Sequence, residues 1–153
     1  MIMAIEKKVH SILVTGGAGY IGAVLVPKLL NKGYKVRVVD KMIFGEKPLK
    51  EFRNKIELIN ADIRYVGPEI MEGIYAVIHL AGFSTDPTSQ YDPRLTDMVN
   101  HIATEHLAKL AQSQGIKRFV YGSSCSVYFT LNTPLEPPLY KETDPINPIS
   151  AYA

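Results

Sequence analysis

The sequence predicts an α/β fold in which helices cover both faces of a parallel sheet. Five short apolar runs of strand length alternate with segments of helical spacing or with polar loops. A glycine-rich turn joins the first run to the first helix, and glycine or polar residues follow the runs. Because the carboxyl ends of parallel strands meet along one edge of a sheet, we expect these residues to line a common crevice.

Length and composition are those of an ordinary globular domain. The chain has 153 residues, of which 46% are hydrophobic and 21% charged, enough to bury one core. A net charge of +2 gives no reason to expect nucleic acid or a membrane as a partner. No apolar run approaches the ~20 residues of a membrane span. Cys125 is the only cysteine, which excludes an internal disulfide, fits a reducing compartment and favours a cytoplasmic location.

The first strand, the turn after it and the first helix form one recognisable unit. An apolar run predicts a strand over residues 11–15, and helical spacing predicts a helix over 20–32 that ends at Gly33. Glycine permits a tight turn and the close approach of a pyrophosphate, and the helix N-terminus offers N–H groups to the phosphates. No Gly-Lys-Ser/Thr follows the turn, so a P-loop is excluded. The motif reads Thr15-Gly16-Gly17-Ala18-Gly19-Tyr20-Ile21-Gly22.

Asp40 extends the glycine motif to a prediction of a dinucleotide site. It closes the second strand, predicted over residues 35–39. A Rossmann-type fold places an acidic residue about 20 positions after the glycines, where it binds the ribose hydroxyls. The alternative is that Asp40 is only a helix cap or a loop residue. We predict NAD rather than NADP, because the Asp40 carboxylate would repel a 2′-phosphate, although Lys41 could offset that repulsion.

The middle of the chain contains two further strands. A short helix is expected near residues 49–52, and an apolar run then predicts the third strand over 56–60, followed by Asp62. Another short helix is expected near 67–72. The fourth strand is predicted over 76–80 and is apolar except for His79, and a polar loop follows it.

A long helix precedes the last strand. Asp92 and Pro93 are typical of a helix start, with aspartate as the cap and proline in the first turn. The helix is expected to end at Gly115. Residues at helical spacing predict its buried stripe: Leu95, Val99, Ile102, His106 and Leu110.

The fifth strand, predicted over residues 118–122, leads into Ser123 and Ser124. The order expected for a sheet of this kind is 3-2-1-4-5, with the ligand bound where the order reverses. Ser124 is then expected on the nicotinamide side of a bound dinucleotide, and Asp40 and Asp62 on its adenosine side.

Six short segments, in their order and spacing, resemble those of one protein family. The family is the extended short-chain dehydrogenases/reductases, more narrowly the NAD-dependent epimerase/dehydratase group that acts on nucleotide sugars. The similarity runs from about Ser11 to the end of the chain and departs from the family pattern at Ala103, where glycine is usual. The segments are the glycine motif, Asp62-Ile63-Arg64, Leu80-Ala81-Gly82, Asn100 with Thr104, FVYGSSCSVY at 119–128, and Pro148-Ile149-Ser150-Ala151-Tyr152.

The resemblance implies a site and a reaction. Tyr152 would act as a phenolate base that takes a proton from a sugar hydroxyl, while hydride leaves the same carbon for the nicotinamide of NAD. Ser124 would hydrogen-bond that hydroxyl, and it is preferred over Ser123 because it stands four residues before Tyr128. The residues implied in cofactor binding are Gly16, Gly19, Tyr20, Ile21, Gly22, Asp40, Lys41, Asp62, Ile63, Leu80, Ala81, Gly82, Asn100, Ser124 and Tyr152.

The family also supplies a lysine four residues after the catalytic tyrosine, a position beyond Ala153. An unperturbed phenol has a pKa near 10, and a nearby ammonium helps to lower it. We therefore expect residues 1–153 to form an NAD-binding domain, incomplete at its C-terminus, of a longer enzyme whose substrate domain lies outside this sequence. The 153-residue polypeptide is expected to bind NAD without turning over a nucleotide sugar.

Several alternatives stay open on the sequence alone. A dehydratase or decarboxylase of the same family usually has an acidic residue two positions before the tyrosine that matches Tyr128, where this chain has Ser126. A carbonyl reductase of the superfamily and a non-catalytic NAD-binding sensor or scaffold are the others. No metal site is expected, because the four histidines lack convincing carboxylate or thiol partners. We expect a homo-oligomer with a nucleotide-sugar substrate.

Overall fold

A parallel sheet of five strands forms the centre of the molecule. The computed structural model describes residues 9–128 and 139–153. Every pair of neighbouring strands is parallel, and the order β3-β2-β1-β4-β5 confirms the predicted fold class. The strands lie within two residues of the predicted bounds: β1 (Ser11–Thr15), β2 (Lys35–Asp40), β3 (Ile56–Asn60), β4 (Ile74–His79) and β5 (Phe119–Tyr121).

Helices connect these strands. Helix α1 (Tyr20–Asn31) links β1 to β2. A helical segment between β4 and β5 contains α2 (Asp86–Tyr91), α3 (Pro93–Thr96), a π-helical turn (Asp97–Ile102) and α4 (Ala103–Ser113). Short 3-10 turns occupy Lys47–Phe52, Ile63–Tyr65, Pro68–Met71 and Cys125–Tyr128.

The two faces of the sheet carry two separate buried clusters. Leu13 of β1 packs on one face with Leu107 of α4, while Val14 packs on the other face with Val26 of α1. All four side chains are fully buried. Successive residues of a strand point to opposite faces, so a strand covered on both sides must be apolar at consecutive positions. This is why β1 is an unbroken apolar run rather than an alternating one.

The helical segment after β4 differs from the prediction in two respects. Residues 86–91 were expected to be a polar loop, but they form α2, whose first turn is capped by the Thr85 hydroxyl. The carboxylate of Asp92 accepts from the N–H of Leu95 at 2.9 Å, which confirms Asp92 as a cap. The π-helical turn then shifts the helix phase, so that Ile102 is 53% exposed while Ala103 is buried. The predicted stripe is therefore wrong at Ile102.

Candidate functional site

The turn between β1 and α1 packs against the ends of two other strands. The N–H of Gly16 donates to the carbonyl of Val39 in β2, at 2.9 Å, and that of Gly19 donates to the carbonyl of Gly16, at 3.1 Å. Gly16 has a φ of +72°, and a Cβ atom there would lie 2.6 Å from the backbone nitrogen of Ala81. Both the conformation and the available space therefore require glycine at this position.

Gly22 brings the start of α1 close to the same turn. A Cβ atom at Gly22 would lie 2.6 Å from the Cα atom of Gly17. The nearest neighbours of a Cβ atom at Gly22 thus all belong to the turn. The helix begins after Gly19, and its first turn carries no acidic residue. The positive end of the helix dipole is therefore suited to an anionic ligand.

Asp40 connects the glycine turn to the loop after β2. Its Oδ2 atom accepts from the N–H of Ala18 at 2.9 Å, and its Oδ1 atom accepts from the N–H of Met42 at 2.7 Å. Each carboxylate oxygen has about two acceptor positions, so both atoms can accept a further hydrogen bond from a ligand. Asp40 is thus a structural residue as well as a candidate ligand, and its binding of a ribose stays a prediction.

Asp62, just after β3, is the centre of an ion cluster. Arg64 reaches it through Nε at 3.0 Å from Oδ1 and through Nη2 at 2.6 Å from Oδ2, while the Nζ atom of Lys41 lies 2.8 Å from Oδ2. The hydrogen bonds from Arg64, aided by Lys41, hold the pKa of Asp62 well below its usual range although burial opposes them. Asp62 is therefore ionised at neutral pH, and Lys41 is bonded to it.

The segment after β4 forms another wall of the site. Leu80, Ala81 and Gly82 lie along it. The Oδ1 atom of Asn100 accepts from the N–H of Phe83, and its Nδ2 atom donates to the carbonyl of Phe83, both at 2.8 Å. Asn100 therefore fixes the backbone of this wall, and its direct contact with a cofactor stays a prediction.

A buried chain of hydrogen bonds connects β1, β4 and the helical segment. The Nδ1 atom of His79 lies 2.5 Å from the hydroxyl of Thr15, and its Nε2 atom lies 2.8 Å from the hydroxyl of Thr104. Thr104 donates its own proton to the carbonyl of Asn100, at 2.6 Å. Its oxygen must therefore accept from His79, which fixes the neutral imidazole with the proton on Nε2. Burial lowers the pKa of His79 to about 4, in agreement with this state.

These walls enclose a cleft that crosses the point where the strand order reverses, between β1 and β4. Its empty volume is about 800 Å³, part of which is open to solvent. Nine of the predicted cofactor residues line the cleft: Gly16, Gly19, Asp40, Lys41, Asp62, Ile63, Leu80, Ala81 and Gly82.

The cleft also contains apolar side chains that the sequence did not single out. Ile43 and Phe44 follow β2 and are 61% and 87% exposed. Phe83, Leu95 and Val99 line the cleft with them. Loop residues show no periodic pattern from which a role could be predicted. The sequence indicated Ile43 and Phe44 only as two large apolar residues shortly after Asp40. Together they give this part of the cleft an apolar surface.

The remaining predicted cofactor residues lie outside this lining. Tyr20 and Ile21, at the start of α1, are 94% and 62% exposed. Gly22 contacts the turn, and Asn100 holds the wall from behind. The other two are Ser124 and Tyr152, which were also predicted to be catalytic.

Ser124 and Tyr152 lie in segments that border a second, smaller depression. Ser124 is half-buried after β5, and its hydroxyl accepts from the N–H of Ser126 at 3.1 Å, whereas Ser123 is exposed. Tyr152 is half-buried beside Ser150, whose hydroxyl donates to Oδ1 of Asp86 at 2.5 Å. A catalytic pairing of Ser124 with Tyr152 stays a prediction. The depression is lined by Asp86, Gln90, Ser126, Ile149, Ser150 and Ala153.

In residues 9–128 and 139–153, no group of three histidine, cysteine, aspartate or glutamate side chains is placed to hold a metal ion. None of the helices described there has the length and apolar character needed to cross a bilayer.

The order of this sheet, with a glycine turn and acidic strand ends around its switch point, defines a dinucleotide-binding α/β domain. The sequence profile of the NAD dependent epimerase/dehydratase family matches residues 12–153, and the chain belongs to this family of enzymes. The resemblance inferred from the motifs is thereby confirmed, and NAD is the cofactor of the family.

Relatives with assigned activities include both epimerases and decarboxylases. UDP-glucuronic acid decarboxylase 1 of Danio rerio is 34% identical, over 96% of this chain and 35% of its own length. UDP-glucose 4-epimerase of Mycolicibacterium smegmatis is 35% identical, over 92% of this chain and 46% of its own length. The chain thus spans less than half the length of either relative.

Solved structures of nucleotide-sugar epimerases share the fold. The UDP-Glc/GlcNAc 4-epimerase of Campylobacter jejuni superposes with a TM-score of 0.82 at 25% identity, over 94% of this chain and 44% of that one. The UDP-glucose 4-epimerase of Thermus thermophilus, solved in complex with NAD, gives 0.79 at 28% identity, over 93% and 46%.

Proposed function

We propose that this chain is the NAD-binding part of a nucleotide-sugar oxidoreductase of the epimerase type. The observation that supports the proposal is the cleft at the switch point of the sheet, where the glycine turn, Asp40 and Asp62 line one space. Membership of the epimerase/dehydratase family and the similarity to UDP-sugar epimerases support it independently. We propose a cytoplasmic location because the chain has a single cysteine. We propose a homo-oligomer because the edge strand β5 has exposed apolar side chains.

The residues present fit this cofactor. Gly16 lies so close to Ala81 that no side chain could be accommodated there. Because the turn has glycine at this position, its backbone is open to a pyrophosphate. Asp40 has acceptor positions left for ribose hydroxyls, and Ile43 and Phe44 offer an apolar surface to an adenine ring. When bound, NAD would supply the acceptor for a substrate hydride and the source for its return.

Ser124 and Tyr152 carry the proposed proton transfer. The Tyr152 phenolate takes the proton of a sugar hydroxyl, and the Ser124 hydroxyl hydrogen-bonds the same oxygen and keeps it oriented. The bonds of Ser150 to Asp86 and to the N–H of Ala153, at 2.5 and 3.1 Å, fix the backbone on both sides of Tyr152.

We expect the 153-residue polypeptide to bind NAD more tightly than NADP, and the Asp40→Asn change to weaken NAD about tenfold. The charged acceptor is lost in that variant, while one carbonyl oxygen remains to bond a backbone N–H. Calorimetric titration with both nucleotides measures this. Asp92→Asn, a cap outside the cleft, is the matched control and should leave both affinities unchanged. Equal or tighter binding of NADP by the unmodified polypeptide would refute the assignment of Asp40.

The same polypeptide is proposed to be inactive towards UDP-glucose. It spans less than half the length of the Mycolicibacterium smegmatis epimerase. The assay follows UDP-glucose and its 4-epimer with NAD present, beside the Mycolicibacterium smegmatis enzyme as a positive control. Turnover at a rate near that of the control would show that the catalytic groups are misassigned.

A decarboxylase is the second candidate, because UDP-glucuronic acid decarboxylase 1 of Danio rerio is 34% identical to the chain. Ser126, at a position where dehydratases and decarboxylases of the family usually have an acidic residue, favours the epimerase. Release of CO₂ from UDP-glucuronic acid by any active form of the protein would select the decarboxylase. If every form of the protein that is assayed binds NAD but turns over neither UDP-glucose nor UDP-glucuronic acid, a non-catalytic sensor or scaffold would be selected instead.

A further inference from the structure

Two cations line the cleft on the side proposed for the adenosine ribose. Lys41 follows Asp40 directly, and Arg64 follows Asp62 by two residues, and all four border the same space. In dinucleotide-binding folds an arginine near the ribose is what accommodates the 2′-phosphate of NADP. The cleft therefore contains two cations that could bind the 2′-phosphate of NADP, and it also contains Asp40, which favours NAD.

Both cations are bonded to one carboxylate. The Nζ atom of Lys41 lies 2.8 Å from Oδ2 of Asp62, and Arg64 makes a two-point contact through Nε and Nη2, at 3.0 and 2.6 Å. The side chains of Asp62 and Arg64 are each only 15% exposed. Two-point arginine–carboxylate pairs are among the stronger polar contacts in proteins, so this arrangement holds the guanidinium in a fixed direction.

The charges of the group balance. Asp40 and Asp62 contribute two negative charges, and Lys41 and Arg64 contribute two positive charges. A 2′-phosphate entering here would meet the Asp40 carboxylate, while both cations already have a bonded partner. Asp62 uses one of the three N–H donors of Lys41 and two of the five of Arg64, so a phosphate would reach the remaining donors only in the direction, and with the net charge, that Asp62 imposes on the two cations.

We propose that Asp62 determines the preference for NAD over NADP, because it holds Lys41 and Arg64 away from a 2′-phosphate. The inference rests on the proposed function, since it concerns the ribose end of the NAD site. Asp62 acts through the two cations and adds to the direct repulsion by Asp40. Removing the charge of Asp62 should therefore make Lys41 and Arg64 available to a phosphate.

The test is the ratio of the dissociation constants for NADP and NAD, measured by calorimetry on the 153-residue polypeptide. Asp62→Asn should lower this ratio at least about tenfold, the effect of one added charge-assisted hydrogen bond. Adenosine 2′,5′-bisphosphate compared with 5′-AMP should show the same change, which locates it at the 2′ position. The asparagine oxygen can still accept from the N–H of Arg64, as Oδ1 of Asp62 does at 3.1 Å.

Three further variants make the result specific. Asp62→Glu keeps the charge and should retain the NAD preference. Lys41→Gln added to Asp62→Asn should reverse part of the gain in NADP affinity. Glu57→Gln removes a carboxylate that pairs with Arg37 outside the cleft, at 2.7 Å, and should leave the ratio as it was. Asp62→Ser, which retains a capping oxygen, gives a second route should Asp62→Asn fail to fold.

The outcomes separate this inference from the proposed function. Normal NAD binding with an unchanged NADP/NAD ratio in Asp62→Asn and Asp62→Ser would overturn the role of Asp62 and leave the NAD site in place. An unmodified polypeptide that binds neither nucleotide would overturn the proposed function and this inference with it. A ratio that falls equally in Asp62→Glu would also overturn it, because the charge would then not be the cause.

Discussion

Replacing Gly16 by alanine should cost about 2–5 kcal/mol of the free energy of unfolding and abolish NAD binding. Two causes add. A residue with a Cβ pays roughly 1–2 kcal/mol for the left-handed φ of +72°. The new methyl group would also lie within 2.8 Å of three backbone atoms of Leu80 and Ala81, and such overpacking costs typically 1–3 kcal/mol. Because β1 and β4 are paired, these atoms cannot withdraw without disturbing the sheet.

Gly33 provides a matched control for the strain alone. It has a φ of +83°, and no described atom lies within 4 Å of the position a Cβ would take. Gly33→Ala should therefore cost only the roughly 1–2 kcal/mol of the backbone conformation and should leave NAD affinity intact. Urea unfolding followed by circular dichroism, with calorimetry for NAD, compares the two variants. A Gly16→Ala polypeptide as stable as Gly33→Ala would show that the close approach to Ala81 is not rigid.

The strands and their order could be predicted because their signals are local. A run such as 11–15, followed by glycine and a helical pattern, has few alternative folds, and parallel topology then fixes where the strand ends meet. The same reasoning groups Asp40 and Asp62 in one cleft from the sequence alone. Residues at strand ends need no information about side-chain direction to be grouped in this way.

The helical segment after β4 could not be predicted in the same detail. Helix α2 consists of polar residues, and it is held by a cap at Thr85 rather than by an apolar face. The π-helical turn over Asp97–Ile102 contains more residues than a turn of α-helix. The regular α-helical spacing used for the prediction does not allow for such a turn. A constant helical period therefore assigned Ile102 to the buried side, where Ala103 lies instead.

Contacts between distant side chains also lay beyond the sequence. Lys41 was a residue that could turn either way, and its bond to Asp62 depends on the relative position of the ends of β2 and β3. His79 was only a polar exception in an apolar strand. Its role became visible through Thr15 and Thr104, which are 64 and 25 residues away along the chain.

Acidification from pH 7.5 to pH 5 should lower the free energy of unfolding by about 2 kcal/mol through His79 alone. Its pKa is lowered by burial from an ordinary 6.5 to about 4 in the folded chain. Between these two values the unfolded chain binds more protons, so stability rises with pH. The contribution of His79 is fully present above its ordinary pKa and is lost as the pH falls towards 4. A shift of this size is worth about 3 kcal/mol in total.

The surroundings of His79 explain why its protonated form is not stabilised. Its hydrogen-bond partners are the hydroxyls of Thr15 and Thr104, and its ring neighbours are Phe119 and Tyr121, at centroid distances of 6.1 and 5.4 Å. None of these groups is a carboxylate that could pair with an imidazolium. A proton on Nδ1 would also compete with the one that Thr15 donates there, so protonation disturbs the hydrogen bond between His79 and Thr15.

Two substitutions with opposite expected signs test this account by urea unfolding at pH 7.5 and pH 5. His79→Asn does not titrate in this range, so it should lower stability at pH 7.5 but flatten the pH dependence. The pKa of exposed His101 is raised by its bonds to Asp97 and Glu105, so its contribution is present at low pH and is lost as the pH rises. His101→Gln should therefore keep or steepen the loss on acidification. Equal losses in His79→Asn and the unmodified polypeptide would show that His79 is not the titrating group.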